Sequence, residues 1–172
     1  MKSYPIKFKP ILKEKIWGGN KLVKLLDKKS NSNNLGESWE ISGVEGDVSV
    51  VSNGIYQGKS LNDLVETFKG ELLGQKNLER FGENFPLLIK FLDAKTNLSI
   101  QVHPDDEMAR AESNFFGKTE MWYIIGSDES SEIILGLNEK SYTTDTARIN
   151  SENVYDIFNA VTVKPGDSFF IP

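Results

Sequence analysis

The sequence predicts a mainly β protein, an antiparallel barrel or sandwich with helices carried as insertions. Three observations lead there. Short runs rich in Val, Ile, Trp and Phe recur along the chain, each closed by Gly, Pro, Asn or Ser. Several of these runs alternate apolar and polar residues, the period that sends successive side chains to opposite faces of a sheet. The helical patterns are few and concentrated, most clearly between residues 61 and 81.

The 172 residues suffice for one domain, or one domain and part of another. With 38% hydrophobic and 26% charged residues the chain is of the soluble globular class. A net charge of −5 and no long basic run give no reason to expect nucleic-acid binding. Cysteine is absent, which excludes disulfides and thiolate chemistry and suits a reducing compartment. Lys and Pro interrupt the first ten residues, so no signal peptide is read there, and no apolar run approaches membrane-spanning length. The expected location is cytoplasmic.

Residues 6–11 read as an extended arm bounded by Pro5 and Pro10. Trp17-Gly18-Gly19 reads as a turn with a packed aromatic, and Asn20 as the cap of a short helix burying Leu22, Val23, Leu25 and Leu26. Residues 28–35 are Ser/Asn-rich and read as a loop. In Gly36-Glu37-Ser38-Trp39-Glu40-Ile41-Ser42, Trp39 and Ile41 face one side of a strand and Ser38, Glu40 and Ser42 the other. Residues 48–51 form a second strand, and Asn53-Gly54 a hairpin-type turn. Ser60 and Asp63 approximate a capping box for a helix whose stripe is Leu61, Leu64, Val65 and Phe68, with Gly70 ending it and one more short helix before Pro86. Residues 86–94 are nearly all apolar and predict a strand buried on both faces. Lys90 stands out within that run: a lysine there either snorkels out or points into a polar cavity. Beyond it come a helix over residues 105–112, strands at 121–125 and 132–135, and one or two short helices between Thr143 and Phe158 with Ser151 a candidate cap. Ala160-Val161-Thr162-Val163, a turn at Lys164-Pro165-Gly166-Asp167, and a final strand from Ser168 to Pro172 complete the chain. There is no internal repeat.

The chemistry concentrates in two stretches. His103, the only histidine, follows Gln101 by two residues in an alternating run, so on a strand the two side chains project together. Glu120 opens the next strand-like run, and a neighbouring strand would bring its carboxylate to the same place. A neutral nitrogen, a neutral oxygen and an anionic oxygen make a chemically sound zinc shell that leaves the ion net positive, fit to polarise a carbonyl or hydroxyl. By spacing alone, a histidine between Val102 and Pro104 is more often a packed or surface residue than a ligand.

Ile16-Trp17-Gly18-Gly19, the strand at 36–42, the run at 86–94, Ser99-Ile100-Gln101-Val102-His103-Pro104-Asp105 and Gly117-Lys118-Thr119-Glu120-Met121-Trp122-Tyr123 together resemble type I mannose-6-phosphate isomerase, in its short bacterial form, from about residue 5 to the end. The ordered pair Gln-x-His-Pro-Asp and Gly-Lys-x-Glu is the specific part. The resemblance implies a cupin-type (jelly-roll) antiparallel β-barrel with helical insertions and one Zn2+ per chain. It implies interconversion of mannose 6-phosphate and fructose 6-phosphate through a cis-enediol. It further implies that Gln101, His103 and Glu120 are zinc ligands, that Lys90 and Lys118 face the active site, and that Ser99 lies near the sugar phosphate. Two lysines near a zinc would draw a phosphate dianion electrostatically.

The family's last ligand is a second histidine, a few residues after the strand that Gly166-Asp167-Ser168-Phe169-Phe170-Ile171-Pro172 resembles, and its catalytic arginine lies further on. Neither is in these 172 residues. The chain is therefore expected to be the N-terminal part of the isomerase, holding most of the metal-binding barrel but stopping before its completion, with an edge open to self-association. Two other readings remain: a non-catalytic cupin module that binds zinc or a sugar phosphate, and an isomerase of a related sugar phosphate. Turnover of mannose 6-phosphate by the full-length protein separates the isomerase from the non-catalytic module.

Overall fold

A computed structural model of the chain describes residues 1–113, 117–138, 141 and 154–171. They fall into two compact units, Met1–Leu98 and Ser99–Pro172.

The first unit is built on a three-stranded antiparallel sheet in the order β1-β2-β3, from strands β1 (Ile11–Gly19), β2 (Leu35–Ile41) and β3 (Ile89–Leu92). Alternation along β2 is as the sequence predicts: Trp39 Nε1 donates to Glu37 Oε2 at 2.6 Å on one face, and Ser38 Oγ to Glu40 Oε1 at 2.6 Å on the other. Helix α1 (Lys21–Leu26) follows β1, but Asn20 makes no capping bond with its side chain. The buried Asp93 instead accepts from the Lys21 N–H at 2.6 Å, a partner 72 residues away that no local pattern reveals.

Residues 48–51 form single bridges, Phe8 to Val51 and Val50 to Ser60, rather than a strand, and Asn53-Gly54 leads into a 3-10 turn, Gly54–Tyr56. The capping box is present in full: Asp63 N–H donates to Ser60 Oγ and Ser60 N–H to Asp63 Oδ2. It starts helix α2 (Leu61–Phe68), which ends at Phe68 because Lys69, at φ 44°, breaks it one residue before Gly70. Two short helices follow, α3 (Gly70–Leu73) and α4 (Gln75–Phe81), where one was expected. Leu61, Val65 and Leu73 make the core of this unit, with Phe8, Ile41 and Phe85 packed around them.

The strand over 86–94 is shorter and less covered than its composition suggests. It spans Ile89–Leu92, and Leu87 and Ile89 are exposed. Among the described residues β3 pairs with β2 alone, and an apolar run does not by itself distinguish singly from doubly paired strands.

The second unit carries helix α5 (Asp106–Ser113), strands β4 (Glu120–Tyr123) and β5 (Glu132–Leu137), a 3-10 turn Val154–Ile157, and strands β6 (Phe158–Thr162) and β7 (Ser168–Ile171). β4 pairs antiparallel with β7, and β5 with β6. The turn into β7 follows its residues: Pro165 and Gly166, at φ 96°, occupy the corner, and Asp167 N–H donates to Lys164 O at 3.1 Å. Most of the segment expected to hold helices before Phe158, including Ser151, lies outside the described residues, as does Pro172. The architecture is thus mainly β, in three separate sheets, and among the described residues no closed barrel forms.

Candidate metal centre

The Gln101/His103 stretch, expected as a strand, has no regular secondary structure, nor has the chain around it from 97 to 105. Among the described residues β4 takes β7 as its ladder partner, and Pro104 has no N–H to offer a ladder. The stretch instead leads into α5. Asp105 Oδ1 accepts from the Met108 N–H at 2.9 Å, capping the helix.

The loop returning to β4 is fastened to that corner. Gly117 N–H donates to Asp106 Oδ1 at 2.9 Å, and Lys118 N–H to Pro104 O at 3.2 Å. A Cβ on Gly117 would stand 2.6 Å from the backbone of Asp105 and Asp106, so only glycine permits this approach.

Three side chains meet as a result. Lys118 Nζ lies 3.1 Å from His103 Nε2 and 3.2 Å from Glu120 Oε1, and His103 Nε2 lies 3.7 Å from Glu120 Oε1. An ammonium has only donors, so Lys118 donates to Nε2 whenever that nitrogen carries no proton. Burial opposes ionisation of Glu120, but Trp122 Nε1–H at 3.0 Å, the Lys118 ammonium and His103 outweigh it and hold the carboxyl below its ordinary value. Glu120 and Trp122 share one face of β4, turned away from the exposed Met121 and Tyr123.

These residues fit a metal ion by their chemistry. His103 Nε2 and the Glu120 carboxylate converge on one cation, the Lys118 ammonium. Their 3.7 Å separation is one that a single ion spans with two bonds of roughly 2 Å. Among the described residues no group of three or more His, Cys, Asp or Glu is placed to hold an ion, so a third donor drawn from them is of another type. Gln101 is such a residue. It is exposed, and its Nε2 donates to Ser99 Oγ at 3.1 Å.

Lys90 lies in the other unit, on β3. It is 3.8 Å from Glu37 Oε1, and Lys15 stands at the same distance from that oxygen. Glu37 is the buried partner that a lysine in an apolar run demands. Glu37, Trp122 and Asp106 also contribute, and none belongs to a motif that marks it in the sequence. The first two leave a detectable signal, each standing two residues from a residue of opposite hydrogen-bonding role on its own strand, while Asp106 looks like an ordinary acid in a first helical turn.

Residues 6–145 match the model for the catalytic domain of type I phosphomannose isomerase. The chain is 42% identical to the mannose-6-phosphate isomerase ManA of Bacillus subtilis, over all of this chain and 53% of that protein. It is 39% identical to the mannose-6-phosphate isomerase of Streptococcus mutans, over 98% of this chain and 52% of that protein. The crystal structure of the Bacillus subtilis mannose 6-phosphate isomerase superposes with a TM-score of 0.86 at 39% identity, covering 99% of this chain and 53% of that one. A variant of Salmonella typhimurium phosphomannose isomerase, at 17% identity and a TM-score of 0.74, shares the fold. The chain spans about half the length of the relatives it matches most extensively. On this agreement of sequence and structure, the chain belongs to the type I phosphomannose isomerase family.

Proposed function

We propose that the protein carrying this chain is a zinc-dependent aldose–ketose isomerase that interconverts mannose 6-phosphate and fructose 6-phosphate through a cis-enediol. Residues 1–172 are its N-terminal part, with most of a cupin-type jelly-roll barrel around the metal. The convergence of His103, Lys118 and Glu120 in a chain of this family is the observation that carries the reading.

The reaction moves a proton between C2 and C1, and its difficulty is the weak acidity of a C–H beside a carbonyl. Zinc, when bound, supplies positive charge where the enediolate develops. His103, Glu120 and Gln101 are its protein ligands, the first two through the lone pairs that face Lys118. With those acceptors committed, the Lys118 ammonium is free to donate to the sugar phosphate, and its side chain, 47% exposed, is accessible to a ligand. His103 and Glu120, as ligands, are poor bases, so Lys90 and Lys118 are the residues assigned to proton movement, and Ser99 is assigned to the phosphate.

The full-length protein, loaded with zinc, should convert mannose 6-phosphate to fructose 6-phosphate and should use unphosphorylated mannose far less well. Equal rates on the two sugars would refute the phosphate role of the lysines. Binding of zinc and sugar phosphate without turnover would replace the isomerase reading with a non-catalytic module, and turnover of a different sugar phosphate alone would reassign the substrate.

A further inference from the structure

We propose that Asp106 is a positioning residue for Lys118, holding that lysine over the metal ligands by gripping the backbone of the residue before it; the proposal rests on the isomerase reading above. The two adjacent aspartates at the start of α5 do different work. Asp105 caps the helix through the Met108 N–H. Asp106 accepts from the Gly117 N–H at 2.9 Å, a contact across 11 residues that the helix itself does not need.

The consequence for the site is direct. His103 immediately precedes the corner at Pro104, and Lys118 immediately follows Gly117. Fastening Gly117 to Asp106, and the Lys118 N–H to Pro104 O, sets the starting points of both side chains against each other. The contact between Lys118 Nζ and His103 Nε2 then needs only the lysine side chain to extend. The carboxylate makes this backbone bond charge-assisted, and the glycine lets it form at backbone contact distance. With Asp106 cut back to alanine, Gly117 loses its acceptor and Lys118 loses a fixed origin. Misplacement of a substrate-contacting group by about 1 Å can cost a hundredfold in rate.

An acid in the first turn of a helix also favours the helix dipole, and the two roles make opposite forecasts. Asparagine keeps the accepting oxygen and the size of the side chain but removes its charge. If Asp106 positions Lys118, D106N recovers most of what D106A loses. If Asp106 serves only the dipole, D106N fails as D106A does.

The test compares wild type, D106A, D106N, K118A and the D106A/K118A double variant of the full-length protein, with kcat and KM for mannose 6-phosphate, zinc per chain, and hydrogen exchange of the Gly117 amide. D106A should lower kcat/KM roughly tenfold with zinc retained, D106N should recover most of that loss, and D106A should add almost nothing to K118A. Losses that multiply in the double variant, or a D106N as impaired as D106A, would overturn the proposal. Should D106A not fold, D106N and the wild type suffice: a Gly117 amide that exchanges freely in the wild type overturns it, and one protected in both supports it. If the wild type turns over no sugar phosphate, the isomerase reading falls, and the grip of Asp106 on Gly117 is still decided by exchange.

Discussion

Replacing Lys118 with methionine should tighten zinc binding while impairing catalysis. The lysine contacts both of the acceptors proposed as zinc ligands, at 3.1 Å from His103 Nε2 and 3.2 Å from Glu120 Oε1. Zinc therefore enters only by displacing an ammonium already in contact with both. At 3.2 Å, two unit charges attract by about 1.3 kcal/mol in a water-like dielectric and by about 5 kcal/mol at an effective value of 20. The Lys118 side chain is 47% exposed, which places the pair near the solvent limit, and exposed pairs contribute up to about 1 kcal/mol. Removing about 1 kcal/mol of competition lowers the zinc Kd roughly fivefold. Methionine keeps the length and apolar stem of the side chain, so the change isolates the charge. Zinc affinity of the full-length protein, measured against a chelating dye, should rise by that factor in K118M, while kcat/KM for mannose 6-phosphate falls. Unchanged or weaker zinc binding would show that the ammonium does not compete for these acceptors, and would refute the reasoning.

The other expected outcomes concern the ligand and the scaffold. In the full-length protein H103A should lose bound zinc and isomerase activity together, by metal analysis and a coupled assay, because it removes the one imidazole that these 172 residues bring to Glu120. Leu61, only 2% exposed at the centre of the first unit's core, should cost about 2–4 kcal/mol as L61A in urea unfolding. The Ser60 backbone and hydroxyl bonds hold the Asp63 pKa below its ordinary value, so their stabilisation is present above that value and lost as pH falls through the lowered pKa. The stability gap between wild type and D63N, followed by urea unfolding, should accordingly be widest near neutrality and shrink below about pH 4.

Much of the scaffold is written locally in the chain. The capping box at Ser60 and Asp63, the alternation along β2 and the Pro165-Gly166 turn each depend on neighbours within a few residues, and each forms as its residues dictate. What depends on distant partners was not legible. The first backbone N–H of α1 finds Asp93 rather than Asn20, and the apolar run at 86–94 cannot announce that, among the described residues, β3 pairs with β2 alone. The same division holds at the candidate site. Residue chemistry singled out His103, Glu120 and Gln101, but the expected strand between Asn97 and Asp105 does not form. His103 and Glu120 meet because Gly117 packs on the backbone of Asp105 and Asp106, a long-range fit that periodicity does not encode.

The central claim is that His103 and Glu120 hold the zinc of a sugar-phosphate isomerase. X-ray absorption at the zinc edge, on the full-length protein and its H103A variant, tests it most directly. The account predicts one zinc per wild-type chain, a first shell of nitrogen and oxygen at roughly 2.0–2.2 Å, and imidazole scattering that disappears, with the metal, in H103A. A zinc retained by H103A with the same spectrum would contradict it.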